Sequence, residues 1–145
     1  MSARFFEQDV SARLKQRRAL SVFLDELVKE RLPHIKKVQL SYIFCSDANL
    51  HGINLQFLQH DDYTDIITFD LRENPAELIG EIYISVERVE ENARTFDTTY
   101  DRELHRVIFH GALHLCGLGD KTPAEQKAMR AAEDVALESW FAKPR

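Results

Sequence analysis

Positive charge is in short supply in this chain of 145 residues: 19 lysines and arginines stand against 24 aspartates and glutamates, a formal net charge of −5. That excludes a nucleic-acid binder working through its overall field and leaves room only for a local basic patch. Cysteine is scarcer still. Cys45 and Cys116 are the only two, each among apolar neighbours, so a disulfide-stapled secreted scaffold is excluded and two buried thiols in a reducing compartment are expected. No apolar run approaches the roughly 18 residues that span a bilayer. The opening MSARFFEQDV lacks the apolar stretch of a signal peptide, so the expected location is cytoplasmic. Linkers rich in glycine, serine or proline, low-complexity runs and fixed-period repeats are all missing, and the expectation is one domain over residues 1–145.

What is present is an ordinary globular balance, 44% hydrophobic and 30% charged. Arg4 to Glu7 reads as a short opening strand. From Ser11, apolar residues at Leu14, Leu20, Phe23, Leu24, Leu27, Val28 and Leu32 fall near a 3.6-residue period and predict an amphipathic helix ending before Pro33. Val38 to Phe44 alternates like a strand, and Ser46 can cap a short helix holding Leu50, Ile53, Asn54, Phe57 and Leu58. Ile66 to Phe69 and Ile79 to Ile84 read as strands around a turn at Asn74-Pro75. Helices are expected over Val86 to Ala93, from a cap at Asp101 through Leu115, and from Pro123 to about Trp140, with Phe96, Tyr100 and Phe109 in the core. The order predicts an α+β fold: a central sheet of about four strands flanked by helices.

The stretch His110-Gly111-Ala112-Leu113-His114-Leu115-Cys116-Gly117-Leu118-Gly119-Asp120 carries chemistry. On a helix His110 and His114 stack one turn apart and can aim at a single point. Gly117 permits the left-handed stop that turns the chain back, bringing Asp120 to the same place. Two imidazoles, one carboxylate and an open position compose a catalytic zinc site on a core helix and the turn after it. Zinc peptidases place a glutamate after the first histidine as general base; here that position is Gly111, which accepts no proton, so peptidase chemistry is disfavoured.

These residues resemble the YbeY endoribonuclease (ribosomal RNA maturation factor) family, whose hallmark is His-Gly-x-Leu-His-Leu-x-Gly followed by Asp-His. Thr64-Asp65-Ile66-Ile67-Thr68-Phe69 is similar to the family's Thr-Asp-Val-Leu-Ser-Phe, and Gly80-Glu81-Ile82-Tyr83-Ile84-Ser85 to its Gly-Asp-Ile-x-Ile-Ser. The resemblance covers roughly residues 38 to 138. It implies an α+β domain and one hydrolytic Zn²⁺ on His110 and His114. It also implies cleavage of single-stranded RNA, maturation of the 16S ribosomal RNA 3′ end and ribosome quality control, with the small ribosomal subunit and its assembly factors as partners. Two positions depart from the pattern. Asp120 stands where the family has its third histidine, behind Gly119 in place of aspartate; a harder oxygen donor makes the site more tolerant of Mn or Fe. Leu58 stands where the family has an arginine, leaving His60 and Lys121 as candidate substitute cations.

The expected mechanism is metal-assisted attack of water on phosphorus, with Thr68 as a weak candidate hydrogen-bond donor. RNA affinity would come from Arg13, Lys15, Arg17 and Arg18, or from Lys36-Lys37. Glu133 and Asp134 are candidate partners for a ligand histidine. The alternatives are a ribosome-assembly binding factor with weak or no nuclease activity and another metal-dependent hydrolase or Fe(II) enzyme.

Overall fold

A computed structural model describes residues 1–58 and 64–142. Alternating apolar residues build four strands: β1 (Ala3–Glu7), β2 (Lys37–Cys45), β3 (Ile66–Asp70) and β4 (Glu77–Ser85). They form one sheet in the order β1-β2-β4-β3. β1 runs parallel to β2 and β2 parallel to β4, with Phe5 opposite Tyr42 and Leu40 opposite Gly80. β3 closes the far edge antiparallel to β4, with Thr68 opposite Ile82. The helices are α1 (Arg17–Arg31), α2 (Asp47–Ile53), α3 (Val86–Thr95), α4 (Tyr100–Leu115) and α5 (Pro123–Ala142). The expected α+β architecture and four-stranded sheet are both present.

The period-two pattern puts Val38, Leu40, Tyr42 and Phe44 of β2 and Leu78, Ile82 and Ile84 of β4 on one face, where they meet α1, α3 and α4 in the main core. The other face carries a smaller cluster of Cys45, Leu50 and Ile67 beneath α2. Tyr42 is fully buried and its hydroxyl donates to the Ile108 carbonyl across 2.8 Å, pinning α4 to the middle of the sheet. Both cysteines are free, and burial pushes their thiols up to about 11. Cys45 is buried as expected, whereas Cys116 is only half-buried.

Several boundaries differ from the sequence reading. α1 begins at Arg17, not near Ser11, because Asp9, Arg13 and Gln16 adopt positive φ and break any helix before it. Leu14 is buried from that irregular loop, which is why it falls in with the apolar spacing of α1. The cap of α4 is Thr99, whose hydroxyl accepts from the Arg102 amide, and Asp101 lies inside the first turn. Ser46 caps α2 as expected, but the chain then widens into a π-helical turn over Asn54–Leu58. Phe96, expected in the core, is 59% exposed. No helix among the described residues is long and apolar enough to cross a membrane.

Candidate metal centre

α4 carries both histidines one position before Gly111 and Leu115 of its sheet-side stripe, so they flank the contact with β3 and β4. Its sheet-side face is cut close: a Cβ on Gly111 would lie 2.9 Å from Ile82 Cγ2 and 3.1 Å from Ile66 Cδ1. Position 111 therefore excludes a side chain sterically, and the missing peptidase glutamate has a packing reason. His110 and His114 stand one turn apart with nearly parallel rings, 5° between planes and centroids 6.4 Å apart.

The helix stops as its sequence predicts. Gly117 has φ +107, the Leu118 amide donates to the Leu113 carbonyl and the Gly117 amide to the His114 carbonyl. That is a Schellman turn, with Leu118 packed on the Leu113–Met129 cluster as its apolar contact. The same turn tethers His114, whose Nδ1–H donates to the Leu118 carbonyl at 3.1 Å. Thr122 and Glu125 then exchange hydrogen bonds as a capping box that starts α5 at Pro123. A Cβ at Gly119 would meet the Glu125 carboxylate of that box, so a side chain there would push this exposed glutamate off its capping hydrogen bond.

Asp120, between the two turns, comes back onto α4, and its Oδ2 lies 3.3 Å from His110 Nε2. On the opposite ring nitrogen, His110 Nδ1–H donates to Glu133 Oε2 at 2.7 Å. Glu133 is buried, and its other oxygen accepts from Arg106 at 2.9 Å, while Arg106 also reaches Asp134 at 2.8 Å. Of the two acidic candidates on α5, Glu133 thus holds the histidine and Asp134 holds the arginine. Burial alone would depress the His110 pKa. The Glu133 hydrogen bond and the charges of Glu133, Asp65 and Asp120 outweigh it and raise the imidazole above its ordinary value. Asp65, which sequence reasoning quoted within a motif but gave no role, is half-buried near His110, bonded to Asn92, and has its own pKa raised by desolvation.

With both Nδ1 atoms donating, Nε2 is the nitrogen left to carry the lone pair in each neutral ring, the tautomer a metal ligand requires; the raised His110 pKa means that a cation must displace a proton there. Donors at ~2.0–2.1 Å around a tetrahedral cation stand ~3.3 Å from one another, which is the His110 Nε2 to Asp120 Oδ2 separation. The chemistry of these donors suits a divalent cation, and this one spacing, also that of an ordinary ion pair, is compatible with it. Two donors stand at that spacing, while among the described residues no group of three or more His, Cys, Asp or Glu is closed around a point.

The remaining candidates are dispersed. Thr68 shares a face of β3 with Ile66, the side turned to α4, and among the described residues no hydrogen bond joins it to His110, His114 or Asp120. Leu58 is exposed at the end of the π-helical turn, Lys121 is exposed, and His60 lies outside the described residues. In the basic cluster, Arg17 is bound to the Phe5 carbonyl and Glu7, and Arg13 to Glu90 and the face of Tyr100, so two of the four are committed to the fold.

The family model for endoribonuclease YbeY matches residues 6–140. An endoribonuclease YbeY from Cytophaga hutchinsonii is 46% identical over 133 residues, 92% of each chain. One from Phocaeicola vulgatus is 54% identical over 99 residues, 68% of this chain and 71% of that one. The solution structure of TM1509 from Thermotoga maritima superposes with a TM-score of 0.59 at 29% identity, covering 98% of this chain and 93% of the other. On sequence and on fold alike, this chain belongs to the endoribonuclease YbeY family.

Proposed function

We propose that this chain is a metal-dependent endoribonuclease that cleaves single-stranded RNA, with His110, His114 and Asp120 holding one Zn²⁺ or, given the carboxylate, Mn or Fe. The observation that carries this reading is the His110–Asp120 approach of 3.3 Å with both histidine Nδ1 atoms already engaged. A divalent cation there would supply Lewis acidity to a phosphodiester and to the water that hydrolyses it.

The chain's own residues do the orienting. Glu133 fixes the His110 tautomer, and Arg106 in turn holds Glu133 in place. The Leu118 carbonyl does the same for His114. Thr68, on the α4-facing side of the edge strand, is the candidate hydroxyl donor to substrate. Gly111 provides no general base, which directs the site away from peptides. In this reading the substrate is ribosomal RNA, including the 16S 3′ end, and the work is maturation and quality control of the small ribosomal subunit in the cytoplasm. The exposed Leu58 favours one second reading, an assembly factor with weak cleavage.

Elemental analysis of the wild type beside His110→Ala, His114→Ala and Asp120→Ala, paired with cleavage of a single-stranded RNA, tests the proposal. The expected result is one cation per wild-type chain, loss of it in each variant, and a fall in cleavage of at least roughly 100-fold on chelation or substitution. Full metal content in Asp120→Ala would remove that residue from the site. Cleavage indifferent to chelator would overturn the metal-dependent reading, and ribosomal particles bound without RNA cleavage would favour the assembly factor.

A further inference from the structure

Two cavities adjoin on the α3–α4–α5 side of the molecule. The inner one, about 250 Å³, has His110 in its wall together with Asp65, Glu133 and Arg130. The outer one, about 310 Å³, shares Phe96, Glu103, Arg106 and Arg130 with it and adds Thr98 and Arg102. Common walls make them one cleft with a candidate metal ligand at its inner end.

Charge divides the cleft. The inner part holds the carboxylates of Asp65, Glu103 and Glu133 against Arg106 and Arg130, which repels a phosphate. The outer part sets three guanidiniums against Glu103 alone, and that carboxylate is 4% exposed. Arg106 is taken up by Glu133 and Asp134. Arg130 has a side chain 54% exposed and approaches Glu133 only to 3.8 Å, and Arg102 lies 5.8 Å from the Phe141 ring centroid. The first is a long ion pair and the second a distant cation–π contact, so neither guanidinium is held as closely as Arg106 and both can turn to an anion. On a chain of net charge −5 they are a local exception. Phe96 completes the pocket: it follows the last turn of α3, is 59% exposed, and presents an aromatic ring to the same space as the arginines.

An exposed ring beside unspent guanidiniums is the combination that takes up an unstacked base and its phosphate. We propose that the outer cleft is a subsite for one nucleotide of single-stranded RNA next to the cleaved bond, with the base on Phe96 and a phosphate between Arg102 and Arg130. The subsite rests on the endoribonuclease reading and deepens it. A base can reach Phe96 only after leaving a helix stack, so the pocket selects unpaired strands.

The test is binding of a fluorescein-labelled single-stranded oligoribonucleotide to the full chain in chelator, followed by cleavage kinetics with metal. Phe96 and Arg130 are exposed, so truncating them leaves the core intact. Phe96→Ala is expected to weaken binding roughly 5- to 100-fold, with Phe96→Trp restoring it. Arg102→Ala/Arg130→Ala is expected to flatten the slope of log affinity against log salt by about 0.7 for each phosphate charge no longer neutralised, while Lys29→Ala, remote from the cleft, leaves it unchanged. In cleavage both changes raise KM and leave kcat within about twofold, the split expected for binding shared by ground and transition states. Wild-type affinity and KM in Phe96→Ala and in the double variant, from a protein that does cleave single-stranded RNA, would overturn the subsite and spare the nuclease reading. Equal loss of affinity for duplex RNA would overturn the stacking role of Phe96. A wild type that neither binds nor cleaves RNA would bring down the endoribonuclease reading and the subsite with it.

Discussion

Without a side chain at position 111, α4 settles its backbone directly on Ile82 and Ile66. Ile82 is fully buried and presents a Cγ2 fixed by its stiff χ1, so it cannot yield cheaply to a methyl group, and half-buried Ile66 crowds the same point. Gly111→Ala should therefore cost about 1–3 kcal/mol in urea unfolding, even though alanine has the higher helix propensity. Because His110 and His114 ride on the same turns, the variant should also bind its metal more weakly. Unchanged stability would mean that the helix can lift off the sheet without penalty. The sequence made the chemical half of this position legible, since a glycine cannot act as a base. The steric half depends on which sheet residues lie beneath, and only the register of β3 and β4 supplies them. Phe96 escaped for the opposite reason: aromatic identity suggests burial, but its place just after α3 turns it outward.

Among the elements, α5 does more than cover the core. Through Glu133 it holds His110, and through Asp134 and Glu133 it holds Arg106 of α4. Glu133→Gln keeps the volume and removes the charge, so the expected outcome is a 10–100-fold loss of metal affinity in a competition titration, roughly the effect of removing a ligand histidine's partner. The metal-free protein gives a second reading. His110 has a raised folded pKa, so its stabilising contribution is complete below the ordinary value of 6.5 and is lost as pH rises through the folded value. Unfolding free energy of the wild type should fall over that range relative to Glu133→Gln, in which the slope is flatter. This link between α4 and α5 was only half visible beforehand: the acids were candidates, but the choice between them follows from helix packing. The stop at Gly117 and the cap at Ser46 were legible because their chemistry is local. The start of α1 was not, since buried Leu14 satisfies the helical pattern from a loop.

At the scale of the whole molecule, β1 belongs to the core as fully as the central strands do. Ala3 is fully buried, and Phe5 stacks on Tyr42 at 5.4 Å and on Phe44 at 6.5 Å. Phe5→Ala should lower stability by about 3–5 kcal/mol and shift one unfolding transition as a unit, read by circular dichroism and by Trp140 fluorescence together. Two separate transitions would show that the N-terminal strand melts on its own. The strand order has a further consequence during synthesis. β4 lies between β2 and β3, so a growing chain that has made β1, α1 and β2 must wait for residues 77–85 before the inner edge of β2 is paired. Until then Leu40, Tyr42 and Phe44 have α1 alone as cover, because α3 and α4 emerge later still. Half-made chains are therefore the aggregation-prone species, and slowing translation within the first 76 residues should prolong their dependence on chaperones.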